Sequence, residues 1–190
     1  QSRCNAFNFE TSGSMINGDM TLKYEENGYY SWLNFPDEVN MNGLIKDSYF
    51  TFSDLYYLVP EISENRFIQQ NENDLFKFNA RLLGVLNKLR VRNMDMEFGN
   101  NSKLSGQMTL RDVTRPNDLF LSFRVSDMRS DITSIRALVP DLRIPASFDR
   151  LGSFRFSGSF DGSPSDFIAY GDTKTELGQA ILDINIEDLN

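Results

Sequence analysis

The residues whose types could do chemistry are few, and their spacing is weak. Asp161 and Asp166 flank the stretch Asp161-Gly-Ser-Pro-Ser165. Two carboxylates at a turn could ligate calcium, but the dedicated acidic loop of calcium-binding helices is missing. The competing reading is aspartates shaping a turn through their own backbone. Gly158-Ser-Phe-Asp-Gly162 has two glycines without Walker or dinucleotide spacing, and reads as a strand running into that turn. There is no histidine, which excludes Ser-His-Asp and Cys-His catalysis and most zinc sites. Cys4 is the only cysteine. It cannot form an internal disulfide, nothing in the sequence marks it as a nucleophile, and it reads as a strand residue. Carboxylates are plentiful but no pair is singled out as acid and base. The expectation is a protein that is not an enzyme and holds no metal or cofactor. A carboxylate hydrolase would need a cleft with two converging acids.

The feature that remains is apolar alternation. Phe154, Phe156, Gly158 and Phe160 share one face of a period-two pattern, and Arg155, Ser157, Ser159 and Asp161 share the other. After a turn, a return strand starts at Phe167. A second turn at Glu176-Leu-Gly178 leads to Ala180, Leu182, Ile184 and Ile186, again alternating with polar residues. Upstream, strands are predicted near 76–83, 89–98, 104–111 and 119–125, with turns at Gly99-Asn-Asn101 and Arg115-Pro-Asn-Asp118. Leu75, Phe78, Leu82, Val85 and Leu89 could also stripe a helix. The matching stretch 153–167 carries Gly158, Gly162 and Pro164, which a helix resists, so both are read as strand. Strands joined this closely form an antiparallel meander.

These elements recur. Phe52-Ser-Asp-Leu-Tyr-Tyr-Leu-Val-Pro-Glu-Ile62 matches Ile132-Thr-Ser-Ile-Arg-Ala-Leu-Val-Pro-Asp-Leu142, with Pro140 standing 80 residues after Pro60. Gly18-Asp-Met-Thr-Leu22 matches Gly106-Gln-Met-Thr-Leu110, and Gly178-Gln-Ala-Ile-Leu182 follows them more loosely. The period is that of a stacked repeat architecture. One β module over 1–190 is divided into a partial repeat at 1–47, a full repeat at 48–127 and a partial repeat at 128–190. Both ends then cut through a unit, and the chain starts at Gln1 without a methionine, so an excised internal fragment is expected. Each unit should add one short helix before its proline, capped by Ser53 or Asp54 and by Thr133.

Composition is ordinary for a folded chain of 190 residues: 40% hydrophobic, 24% charged and 13% aromatic, including 16 phenylalanines. The net charge of −8 lacks a basic nucleic-acid footprint. No apolar run is long enough to span a bilayer, and no signal peptide is visible. A single unit would leave one apolar sheet face exposed. A second sheet, curling of the same sheet, or something that is not protein must cover it.

The segments Phe154-Arg-Phe-Ser-Gly-Ser-Phe-Asp-Gly162, Asp166-Phe-Ile-Ala-Tyr-Gly171 and Thr173-Lys-Thr-Glu-Leu-Gly178, with Asp183, resemble the TamB translocation and assembly module family in its Bacteroidetes form. The stretch from Leu89 to Asn101, then Leu104-Ser-Gly106 and Phe120 to Val125, agree with it. The resemblance implies a mainly β fold: a repeated antiparallel meander of long strands, curled into a taco-like trough or sandwich, with one short helix per repeat. It implies a periplasmic location, with the parent anchored in the inner membrane by a segment outside this chain. It further implies an AsmA-like, bridge-like apolar groove that passes phospholipid acyl chains to the outer membrane. An outer-membrane barrel assembly protein would be a partner through other parts of the parent. The expected groove lining is Met20, Leu22, Met94, Met96, Met108, Leu110, Phe154, Phe156, Phe160, Leu182 and Ile184. Arg90-Val-Arg92 stands where Ile168-Ala-Tyr170 would be, which predicts one more polar stretch of trough. Unpaired edge strands predict an edge-to-edge dimer of the fragment. The alternative is a structural or interaction β-sandwich of a large exported protein, with no lipid groove.

Overall fold

Alternation of period two puts every second side chain on one face, and one such face must be hidden from water. The structure, a computed structural model, describes residues 1–24, 28–57, 60–99, 101–115, 118–139, 143–163 and 166–187. It forms one ten-stranded sheet. The strands are β1 (Ser2–Glu10), β2 (Met15–Lys23), β3 (Asn40–Phe50), β4 (Phe76–Gly84), β5 (Lys88–Phe98), β6 (Ser102–Arg111), β7 (Phe120–Asp131), β8 (Ser153–Gly162), β9 (Phe167–Thr175) and β10 (Gly178–Ile186). Each pairs antiparallel with the next in chain order, and β1 does not pair with β10. The sheet is therefore an open meander, and among the described residues no second sheet lies over it. The stretch 75–89 holds β4, a turn and the start of β5 and no helix, with Gly84 at φ +111 where β4 ends.

The connections are more helical than one short helix per unit. At one end of the strands, α1 (Gly28–Leu33) and α2 (Phe35–Glu38) join β2 to β3. At the other end, α3 (Phe52–Leu55), a 3-10 turn at Pro60–Glu64 and α4 (Arg66–Gln70) join β3 to β4. There too, α5 (Ile132–Leu138) and a 3-10 turn at Ala146–Leu151 join β7 to β8. The helix starts lie two or three residues earlier than expected. Thr51, not Ser53 or Asp54, precedes α3, and it makes no side-chain cap bond. Asp131, not Thr133, caps α5, its Oδ1 accepting from the Ser134 amide at 2.8 Å. A carboxylate reaches the third amide as readily as a hydroxyl does, and its charge suits a helix start. Leu58 and Pro140, the ends of the predicted helical runs, lie outside the described residues.

A line of β-bulges crosses the sheet. The register slips between Cys4 and Phe7 in β1, Ile45 and Ser48 in β3, Val91 and Met94 in β5, and Val125 and Met128 in β7. The β3 and β7 bulges stand 80 residues apart, as do the starts of α3 and α5. Three bulges carry a non-glycine residue with positive φ: Ala6 at +51, Asp47 at +47 and Asn93 at +47. Opposite the bulges stand small residues: Gly18 in β2, Ala80 in β4, Gly106 in β6 and Gly158 in β8, with Gly171 paired to Gly158 from β9. A Cβ at Gly18, Gly106, Gly158 or Gly171 would meet a neighbouring strand's carbonyl oxygen at under 3.0 Å. Extra residues on alternate strands and missing side chains between them bend a sheet sharply, so this line is a crease.

The crease explains how a single layer makes a core. Ile45 is 2%, Val91 5% and Met94 3% exposed, although sequential strands are the elements that pack on one another. Burial that deep under no second sheet is shared by side chains on both sides of the crease and by Phe35 of α2 and Leu86 of the β4–β5 turn, which pack on the same cluster. One cluster accordingly joins Leu89, Met41 and Leu110 on the α2 side of the crease to Met96, Leu104 and Phe78 on the other.

Candidate functional site

Directly paired residues of an antiparallel ladder point to the same face. Tracing the pairs therefore locates each predicted lining residue. Leu22 pairs with Met41 and Met20 with Gly43. Met96 pairs with Leu104, Met94 with Gly106 and Leu89 with Leu110. Met108 pairs with Phe123, and Phe123 with Phe160. Phe154 pairs with Thr175 and Phe156 with Thr173. Leu182 pairs with Gly171 and Ile184 with Ala169. Each bulge adds one residue and so preserves the phase across it. All eleven residues fall on the inner, concave face.

They do not share one degree of exposure. Met94 is buried in the core, while Met20, Leu22, Met96, Met108 and Leu110 are half-buried against it. On the last three strands Phe154, Phe156, Phe160 and Leu182 are half-buried and Ile184 is 37% exposed. The buried apolar side chains of the inner face thus lie on β3 to β7, while half-buried ones run on across β8 to β10 until Ile184 at the edge is exposed. The rings of Phe160 and Phe167 stack with centroids 4.5 Å apart. Phe156 lies over Gly158 and Gly171, in space that a Cβ at either position would need. A ring laid across glycines restores apolar cover that their missing side chains lack. Among these groups Thr173 brings a buried hydroxyl without a hydrogen-bond partner, and Thr175, paired with Phe154, is a second polar residue on this face.

Two rims hold the ends of the trough, and sequence reasoning missed both. At one rim Asn87 is buried and ties three connections together. Its amide donates to the Pro36 carbonyl at 2.9 Å, its Nδ2 donates to Asp37 at 3.2 Å and to Thr114 at 3.0 Å, and its Oδ1 accepts from the Thr114 amide at 3.1 Å. At the other rim Asn71 Nδ2 donates to the Phe67 carbonyl at 2.7 Å and to the Leu138 carbonyl at 2.8 Å, which joins α4 to α5. Asp54 accepts from Thr11 at 2.5 Å and Ser14 at 2.6 Å, fixing the β1–β2 turn to α3. Those hydroxyls, Ser14 first, hold its carboxyl below the ordinary aspartate range. Phe50, Phe52, Phe76 and Phe98 stack between α3 and the ends of β3 to β5, filling the trough there. Asparagines this far apart in sequence from their partners carry no short-range signal.

One expectation is corrected. Arg90-Val-Arg92 does not make the trough more polar. Val91 pairs with Leu82 and Met108 on the inner face, while Arg90 and Arg92 point outward. In β9 it is Ala169 that faces in, with Ile168 and Tyr170 outside. The difference between the two copies falls on the outer surface, because alternation sends the first and third residues of each triplet to that side.

The remaining candidate groups take structural places. Cys4 is exposed on β1 and pairs with Met20. Asp161 sits in β8 and accepts from Ser122 at 2.6 Å. Asp166 contributes its backbone carbonyl to the Ser163 amide at 2.7 Å. Asp127 is bonded by Arg155 and Arg129 on the outer face, and the Arg155 bond, the larger cause, holds its carboxyl below the ordinary range. Among the described residues no cluster of three or more acidic or sulfur ligands could hold a metal ion. Among the described residues no helix is long and apolar enough to cross a membrane. No family model, characterised protein or solved structure matches the chain.

Proposed function

We propose that the inner face over β8 to β10 binds acyl chains, and that the chain is an internal segment of a TamB-like periplasmic protein that passes phospholipid along such a trough. The observation that supports this reading is a single open sheet whose concave apolar face is only partly filled by its own side chains at Phe154, Phe156, Phe160, Leu182 and Ile184. The mechanism is passive. An acyl chain lies along the face, each methylene gaining roughly 0.8 kcal/mol on leaving water, and the headgroup stays outside. A surface without deep pockets holds a chain without fixing its position, which suits passage rather than storage. The barrel assembly partner, the membrane anchor and the periplasmic setting belong to this same proposal and rest on the motif resemblance.

The test is photo-crosslinking from a photoreactive residue at Phe156 or Leu182, with native mass spectrometry after gentle extraction. Both positions are expected to capture phospholipid, and the outer-face position Lys174 is not. Capture at Lys174 with none at 156 and 182 would sink the proposal.

A further inference from the structure

The outer face of the sheet is electrically divided, and the division is self-complementary. One line of outward residues runs across the strands beside the crease. Leu44 pairs with Arg81 and Arg81 with Arg92. Gln107 pairs with Arg124, Arg124 with Ser159, Ser159 with Tyr170 and Tyr170 with Asp183. The first part of this line is basic in a chain of net charge −8. Like charges directly opposite each other, as in Arg81 and Arg92, destabilise a sheet. On the other side of the crease the outer charges are paired, Lys103 with Glu97 and Asp127 with both Arg129 and Arg155. In the basic part, Arg92 reaches only the neutral Gln107 and Arg81 only Asn42. Arg90 and Arg124 have no hydrogen-bond or ion-pair partner among the described residues. The far part of the same face is acidic and apolar. Asp172 and Asp183 are exposed and likewise unpaired among the described residues. They flank Tyr170 and Ile181, which are 55% and 68% exposed, with Ile168 at 56% and the cation Lys174 on the same face of β9.

We infer that the outer face binds a second copy of this chain back to back, with the Arg81–Arg92 region of each copy on the Tyr170–Asp183 region of the other. A two-fold axis parallel to the strands and passing at β7 lays β8, β9 and β10 of one copy over β6, β5 and β4 of the other. Positions along the strands are kept by that rotation. Asp183 then faces Arg81, and Tyr170 faces Arg92, whose guanidinium can stack on the ring. Ile168 faces the stem of Arg90. Both halves of the contact occur twice, as an isologous interface requires. The outer face is convex at the crease, so the two copies meet along this line of residues from β4 to β10, roughly 28 Å at ordinary strand spacing, and so narrow a contact makes the dimer weak. The axis also brings the two copies of Arg124 together and sets each Asp172 over the Asp95 of the other copy, repulsive contacts that the arrangement must carry.

Sedimentation equilibrium over a concentration series tests this, with circular dichroism as the check on folding. The native chain is expected to dimerise as concentration rises. Asp183→Arg or Arg81→Asp should each weaken association by about tenfold or more, as reversal of a facing charge does. The double variant Arg81→Asp with Asp183→Arg should recover to within about threefold of the native chain. Arg124→Gln should strengthen the dimer, an effect no purely structural role of that arginine would give. A native chain that stays monomeric throughout overturns the inference. So does a dimer that ignores these charges and is lost on Ile184→Pro, which would be edge pairing through β10. A monomer that binds vesicles of anionic lipid through Arg81 and Arg92 also overturns it, because the basic patch would then read headgroups.

Discussion

At the scale of single residues, the structure depends on polar groups that tie distant segments. Asp54 is the clearest. It accepts hydrogen bonds from residues 43 and 40 positions away, Thr11 and Ser14. Hydrogen bonds to a charged acceptor contribute about 1.5–3 kcal/mol, so Asp54→Ala is expected to cost on the order of 2 kcal/mol in urea denaturation. The pH dependence follows from the direction of its shift. The folded-state value is depressed, so the contribution is present above the unfolded value, about 3.9. It is lost as pH falls below that, through the folded value. Asp127, depressed first by Arg155, adds to the same acid limb. The prediction is that acid unfolding of the native chain begins below pH about 4 and that the limb is shallower in Asp54→Ala. Equal limbs in the two proteins would refute this account of Asp54. From the sequence Asp54 reads only as a helix cap, because its partners lie in another hairpin.

At the scale of elements, the crease decides what the strands can do. A side chain at Gly158 would meet the carbonyl of Tyr170 and the ring of Phe156. Gly158→Val must move backbone or push that ring off the inner face, and overpacking of this kind costs roughly 1–3 kcal/mol. The loss is expected in thermal melts, with chemical-shift changes concentrated on β8 and β9. The bulges give the opposite sign. Ala6 is held at φ +51, a conformation that costs a residue with a Cβ roughly 1–2 kcal/mol. Ala6→Gly removes that cost but frees the unfolded chain, so a net gain of about 0.5 kcal/mol is expected in the same melts. The strands from β4 onward and their meander order were legible because period two recurs within them and the turns carry glycine, asparagine and aspartate, whereas β3 and the second half of β7 were not. The bulges were not legible, since one extra residue looks like a local lapse in alternation. The phase change from Leu89 and Val91 to Met94 and Met96 was the available sign. The rims were illegible for a different reason: Asn71 and Asn87 meet their partners only after the sheet has formed.

At the scale of the whole molecule, one layer of strands must serve as both core and surface. The buried apolar side chains of the inner face lie on β3 to β7, and Met94 belongs to that core rather than to any open groove. Over β8 to β10 the same face stays partly exposed. An occupant that binds the folded sheet alone stabilises it by mass action, about 2.7 kcal/mol at a hundredfold excess over Kd. For a chain of this size that is a rise in melting temperature of about 5–10 °C. A monoacyl phospholipid below its micelle concentration is the probe. Because each added methylene contributes roughly 0.8 kcal/mol, the shift at fixed concentration should grow with acyl length until the chain outruns the face. Leu182→Asp places a carboxylate between Gly171 and the open edge, on a half-buried position of an edge strand. It should leave the ligand-free melt close to native and remove the length-dependent shift. A shift of equal size for short and long chains would mean that headgroups or detergency act instead. A full shift in Leu182→Asp would place binding outside β8 to β10. Stabilisation that scales with methylene count and vanishes with one inward charge is what an acyl trough, and not a sealed structural module, would produce.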